Sequence, residues 1–196
     1  VNFIEVNDTH FDLLLDGTDA VFVTPHNVGK TRVDLFPVNA EGCTLNVTLK
    51  DAEGNVVGTA STPASEHAHV LIDVKNPHLW DGLADPYCYT CEASVVADGE
   101  VKDTVNVTYG YRSFHVCPNT GFWLNGKRYH QLVGANRHQD FAYVGNAVPN
   151  SQQWRDAKRL RDAGFTIIRV AHYPMDPAFM DACDELGLFV IVATPG

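Results

Sequence analysis

No apolar run in this sequence exceeds six residues, Leu188 to Ala193. A membrane-crossing helix needs ~20, so none is expected. Basic side chains are scarce: 14 Lys and Arg stand against 24 Asp and Glu, a net charge of −10. That balance argues against nucleic acid or an anionic membrane as a partner. Charged residues are only 19% of the chain and hydrophobic ones 45%, which excludes a disordered polymer. The opening Val1-Asn2-Phe3-Ile4-Glu5 lacks an initiator Met, a basic stretch and an apolar stretch. It reads as the start of a piece cut from a longer protein, with no signal peptide and with the compartment left open. At 196 residues the chain is too short for a closed (β/α)8 barrel, which takes roughly 250. One large or two small domains fit.

The cysteines build no scaffold. Five of them cannot all pair within one chain. Cys88 and Cys91 form a C-x-x-C, yet no second pair follows to complete a zinc set. On a strand, residues three apart face opposite ways. All five are expected as free thiols. His10, His26, His67, His69 and His78 are scattered through the first half. His67 and His69 share one strand face and read as a surface pair, so no metal ligand set and no cofactor are evident in this chain, while a divalent cation in the longer protein is left open. Charge is also uneven. Val1 to His115 holds 17 acidic and 6 basic residues, Val116 to Gly196 holds 7 and 8. The break near residue 115 marks a domain boundary.

The first half alternates with period two. Val21-Phe22-Val23, Thr31 to Val38, Cys43 to Leu49, Val56-Val57, Ala68 to Val74, Tyr87 to Val96 and Val101 to Tyr109 are the expected strands. Asp51 to Asn55 and Asp98-Gly99 read as turns. About seven short strands without a helical segment indicate an all-β, immunoglobulin-like sandwich.

The second half changes period. An Asn125-Gly126 hairpin is followed by an apolar strand, His130 to Ala135. Ser151 is expected to cap a helix with Trp154, Ala157 and Leu160 on its buried side, closed by Gly164. Phe165 to Ala171 is the next strand. Asp176-Pro177 opens a second helix with Phe179, Ala182, Cys183 and Leu186 inward, and Gly187 ends it. Leu188 to Ala193 reads as a parallel strand buried on both faces. The order is β-α-β-α-β, an incomplete α/β segment.

Several separated motifs then coincide. Gly134-Ala135-Asn136-Arg137-His138-Gln139-Asp140, Arg169-Val170-Ala171-His172-Tyr173-Pro174 and Cys183 to Val190 resemble glycoside hydrolase family 2, the β-galactosidase and β-glucuronidase family. Asn76 to Trp80 with Asp85-Pro86-Tyr87 is similar to the family's sandwich signature, and Gly110-Tyr111-Arg112 to its exit into the barrel. The resemblance implies an immunoglobulin-like sandwich over residues 1–113, its first ~20 residues the end of a preceding jelly roll. It implies the start of a (β/α)8 TIM barrel over 114–196, truncated after strand three. It further implies a retaining, exo-acting β-galactosidase-like glycosidase, whose acid/base and nucleophile glutamates sit at the fourth and seventh barrel strands. Neither strand is in this chain, and Glu185, the one glutamate after residue 115, lies mid-helix. No catalytic residue is therefore expected here, and the chain alone should be inactive.

By the same resemblance the chain supplies part of the rim that binds a terminal β-linked sugar: His138 and His172 as donors to hydroxyls, Arg169 as the orienter of the nucleophile, with Asn136, Arg137, Asp140 and Tyr173 beside them. The open barrel piece is expected to self-associate. Two departures stand out. Many relatives carry His-Glu where His138-Gln139 stands, and an acidic pair where Thr194-Pro195-Gly196 follows strand three. A rival reading is a carbohydrate-binding or adhesive sandwich module, which predicts aromatics on an exposed sandwich face. Trp80, Trp123 and Trp154 form no such platform in sequence.

Overall fold

The structure is a computed structural model, and it describes residues 2–3, 21–26 and 29–193. Residues 1 and 4–20, on which the jelly-roll expectation falls, and the closing 194–196 lie outside the described residues. The chain divides into two compact units, Val1–His78 with Cys88–Tyr111, and Leu79–Tyr87 with Arg112–Gly196.

The first unit is all β: β1 (Asn2–Phe3), β2 (Val21–His26), β3 (Lys30–Leu35), β4 (Pro37–Val38), β5 (Thr44–Lys50), β6 (Val56–Pro63), β7 (Ala68–Asp73), β8 (Tyr89–Ala97) and β9 (Glu100–Tyr109). Antiparallel pairing gives a three-stranded sheet, β2-β3-β7, and a four-stranded sheet, β6-β5-β8-β9, with β1 paired to β4. Alternation does the sorting. Val33 and Leu35 of one sheet, and Leu45, Val47, Leu49, Cys91, Ala93 and Val95 of the other, are buried while their neighbours are not. That is the signature of a sandwich with one covered face per sheet. Asp98 and Gly99 both take positive φ, 53° and 78°, between the paired Ala97 and Glu100, as a two-residue hairpin turn requires. Tyr89, Tyr109 and Tyr111 pack ring on ring, and the Tyr111 hydroxyl shares a buried hydrogen bond with Thr31. Burial pushes the Cys91 thiol up to about 12, and all five cysteines are free.

Two sequence expectations change here. Val56-Val57 only begins β6, an eight-residue strand whose Gly, Thr, Ala and Ser carry little hydrophobic signal. Thr31 to Val38 is broken at Phe36 into β3 and β4, which pair with different partners.

The second unit contains β10 (Phe114–Cys117), β11 (Gly121–Leu124), β12 (Lys127–Arg128), β13 (Gly134–Arg137), α1 (Asn150–Asp162), β14 (Ile167–Val170), α2 (Pro177–Leu186) and β15 (Phe189–Val192). The first three form an antiparallel meander turned at Asn125-Gly126. The others form a parallel sheet, β13-β14-β15, joined through α1 and α2. One sheet face, with Ile168 and Val170, packs with Ala157, Phe179, Ala182, Cys183 and Leu188 into a helix-covered core. The other face carries Gly134, Ile167 and Phe189 in one row and Asn136, Arg169 and Ile191 in the next. At its base Phe189 meets the edges of Trp80, Phe122 and Tyr129.

Four local expectations are corrected. β13 begins at Gly134 instead of His130: a Cβ at residue 134 would stand 2.4 Å from the Ile167 carbonyl oxygen, so glycine is what lets the two strands close. α1 starts after Pro149, and Ser151 sits inside its first turn without a capping bond. Gln153 and Ala157 of α1 are buried and Leu160 packs against the same core as Ala157, whereas Trp154 is 41% exposed and its Nε1–H donates to Glu185 at 3.3 Å. β15 is not buried on both faces: Phe189 is covered, but Ile191 is 50% exposed. The second helix matches its sequence signals. Asp176 caps the Ala178 N–H at 2.9 Å, Pro177 follows, and Gly187 closes the helix at φ 79°.

Candidate sugar-binding rim

Parallel strands in a β-α-β-α-β unit release their chains at one end, and residues just beyond that end converge. Here β13 ends at Arg137 and β14 at Val170. The connections begin His138-Gln139-Asp140 and Ala171-His172-Tyr173.

The two connections meet. The His138 and His172 rings lie 5.6 Å apart at 66°, and the Tyr173 ring is 6.1 Å from His138. Arg169 reaches back from β14, its Nη2 donating to His172 Nδ1 at 3.5 Å. Asn136 is level with Arg169 on the same sheet face and is exposed. The Ala171–His172 peptide bond is cis.

Arg137 goes elsewhere. It is 8% exposed and points to the helix-covered side. Its Nη2 donates to Gln153 at 2.7 Å and to Asp156 at 3.0 Å, its Nη1 to the Met175 sulfur at 3.1 Å, and its guanidinium lies 4.0 Å over Phe179. Successive strand residues face opposite ways, so placing Asn136 on one face commits Arg137 to the other. Asp140 stands exposed at the start of the next loop.

Gln139, not selected from sequence, is central. Its backbone N–H donates to the Tyr173 hydroxyl at 2.8 Å, its Oε1 accepts from the Asp176 N–H at 2.9 Å, and its Nε2 donates to the Asn146 carbonyl at 3.2 Å. Its one sequence signal is the departure from the His-Glu pair that the family resemblance implies. Five of the seven expected residues (Asn136, His138, Arg169, His172 and Tyr173) lie along one face and one strand end. Together they bring two imidazoles, a guanidinium, an amide and a phenol to that end of the sheet. Such a set suits a neutral polyol or an oxyanion.

Comparison with known proteins agrees across nearly the whole chain. The profile described as "Glycosyl hydrolases family 2" matches residues 18–112, and "Glycosyl hydrolases family 2, TIM barrel domain" matches 117–196. A β-galactosidase of Thermoanaerobacter pseudethanolicus is 31% identical over 206 residues, 97% of this chain. A β-glucuronidase of Bacteroides fragilis is 38% identical over 122 residues, 62% of this chain. The chain spans 26% and 17% of those two relatives. The crystal structure of Bacteroides uniformis β-glucuronidase superposes with a TM-score of 0.79 at 27% identity, covering 89% of this chain and 23% of that one. With both units matching one family in the order that family prescribes, the chain belongs to the glycosyl hydrolases family 2.

Proposed function

We propose that this chain forms the immunoglobulin-like sandwich and the first three barrel strands of a retaining, exo-acting glycosidase of β-galactosidase type, with the barrel part supplying one side of the pocket for a terminal β-linked sugar. The carrying observation is the meeting of His138, His172, Tyr173 and Arg169 at the ends of two adjacent parallel strands. The names of the relatives, β-galactosidases and β-glucuronidases, support the substrate class.

In this reading the imidazoles donate to sugar hydroxyls. His172 has its Nδ1 3.5 Å from the Arg169 guanidinium, which leaves Nε2 for that purpose. Arg169 spends its other N–H groups on the nucleophile carboxylate, holding it ionised and aimed at the anomeric carbon. A retaining reaction needs two carboxyls about 5–5.5 Å apart, one to protonate the leaving oxygen and one to attack. Glu185 supplies neither, since it lies on the exposed side of α2 against Trp154. In this reading the two carboxyls are the glutamates that the family resemblance assigns to barrel strands four and seven, outside residues 1–196.

The test is hydrolysis of 4-nitrophenyl β-galactoside and β-glucuronide by the full-length protein and by residues 1–196 alone. Turnover of the galactoside by the first and none by the second is expected. Turnover by residues 1–196, or no β-glycosidase activity in the full-length protein, would overturn the reading.

A further inference from the structure

The side chain of Gln139 makes two hydrogen bonds of opposite sense. Oε1 accepts from the backbone N–H of Asp176, and Nε2 donates to the backbone carbonyl of Asn146. The partners fix the amide's orientation, because a backbone N–H only donates and a carbonyl only accepts. Asp176 ends the connection that begins with His172 and Tyr173, and it is the residue that caps α2. Asn146 lies in the connection that begins with His138, within the turn held by the Ala147 N–H to the Val144 carbonyl at 3.1 Å. With the Gln139 N–H on the Tyr173 hydroxyl, one residue joins the two connections at two points and braces its own at a third.

We propose that Gln139 is a positioning residue that sets the separation of the His138 and His172–Tyr173 connections, so that both imidazoles engage one sugar ring; this rests on the glycosidase reading above. The chemistry required at position 139 is narrow. A carboxylate would keep the bond from Asp176 but would set a second oxygen against the Asn146 carbonyl. A neutral carboxylic acid, with one oxygen accepting and its O–H donating, would serve as the amide does. Gln139→Glu is therefore a version of the clamp that protonation closes. Around it stand His138 and Asp140 on its own segment, and His172, Tyr173 and Asp176 on the facing one. All are present in the wild type, so the variant-to-wild-type ratio isolates the new carboxyl.

The experiment compares full-length wild type, Gln139→Glu and Gln139→Met by kcat/KM from about pH 4.5 to 8, across the glutamate range, and by amide hydrogen exchange at Asp176 and across residues 141–147. Gln139→Met should lose about tenfold in kcat/KM, chiefly in KM, at every pH. Its Asp176 amide should exchange faster. Gln139→Glu should match wild type within about twofold at the acid end and fall toward the Met variant as pH rises. A Met variant with wild-type kinetics, or a Glu-to-wild-type ratio flat in pH, overturns the proposal. If wild type hydrolyses no β-glycoside, the glycosidase reading fails by itself, and exchange still decides the clamp: unchanged rates at Asp176 and residues 141–147 in Gln139→Met would refute it.

Discussion

The guanidinium of Arg137 lies 4.0 Å above the ring of Phe179 and ion-pairs with Asp156 at 3.0 Å. One strand residue thereby links β13 to both helices: Phe179 belongs to α2, Asp156 and Gln153 to α1. The charge is nearly fully buried and multiply bonded, the condition under which a buried cation is tolerated.

Removing it should therefore cost stability before it costs binding. Arg137→Ala deletes the ion pair, the bond to Gln153 and the cation–π contact, for a loss of about 3 kcal/mol. Arg137→Met, similar in length, should recover part of that through packing on Phe179. Chemical denaturation of residues 1–196 measures both. An Arg137→Ala variant as stable as wild type would show that the helix-side contacts do no net work.

Sequence made the β-to-α/β change and the second helix legible, because each has a local cause; the rim residues came from the family resemblance, and the structure shows only that two strand ends bring most of them together. Asp176, Pro177 and Gly187 are cap, first-turn and terminator residues whose roles depend on their own backbone. What it hid was set by distant partners. Trp154 has the right spacing for the core but faces Glu185 and solvent, while polar Gln153 is buried because Arg137 needs an acceptor there. Gly134 is required by the backbone of β14, which leaves no room for a side chain there. Gln139 matters through residues 7 and 37 positions away, beyond the reach of any periodicity.

The sandwich carries its own acid sensitivity. Burial tends to raise the Asp34 pKa, but hydrogen bonds from Arg32 and His67 outweigh it and hold the carboxyl below its ordinary range. A depressed folded pKa gives stability that is complete above the unfolded value near 3.9. That stability is lost as pH falls through it toward the folded value. Denaturation midpoints should accordingly drop more steeply below about pH 4 in wild type than in Asp34→Asn. Parallel slopes in the two would refute this assignment.

Gly187 is fixed by two independent constraints. Its φ is 79°, and a Cβ there would stand 2.3 Å from the Gly82 carbonyl oxygen. Backbone on both sides cannot step aside, so Gly187→Ala should cost about 2 kcal/mol or more. Gly126→Ala, also at positive φ (75°) but with open space around it, should cost only about 1 kcal/mol. Equal losses would mean that φ alone matters at Gly187.

Residues 1–196 expressed alone should self-associate through the parallel sheet. β13 and β15 are its edges, and Ile191 is half-exposed on the face opposite the helices. Unpaired edges and apolar surface favour pairing. The base of that face is already covered by Trp80, Phe122 and Tyr129 around Phe189, so the interface is confined to its upper row. Sedimentation at tens of micromolar should give a dimer or larger species, and Ile191→Lys a monomer. A wild-type monomer throughout would exclude it.

The rim itself is tested by His138→Ala and His172→Ala in the full-length protein. Both side chains are exposed in this structure, so neither variant should shift the unfolding midpoint by more than about 1 °C. Each removes one donor to a sugar hydroxyl in a pocket where water is displaced, and should lower kcat/KM by about ten- to a hundredfold. Because the rings are 5.6 Å apart and would share one ring of the substrate, the double variant should lose less than the product of the single losses: with one donor gone the sugar is no longer held to geometry for the other. Arg169→Lys offers the contrast. It keeps the charge but loses the fork that serves His172 and a carboxylate together, so its loss should fall on kcat more than on KM. Single-variant kinetics equal to wild type at both histidines would remove them from the pocket, and strictly multiplicative losses would mean that they bind independently.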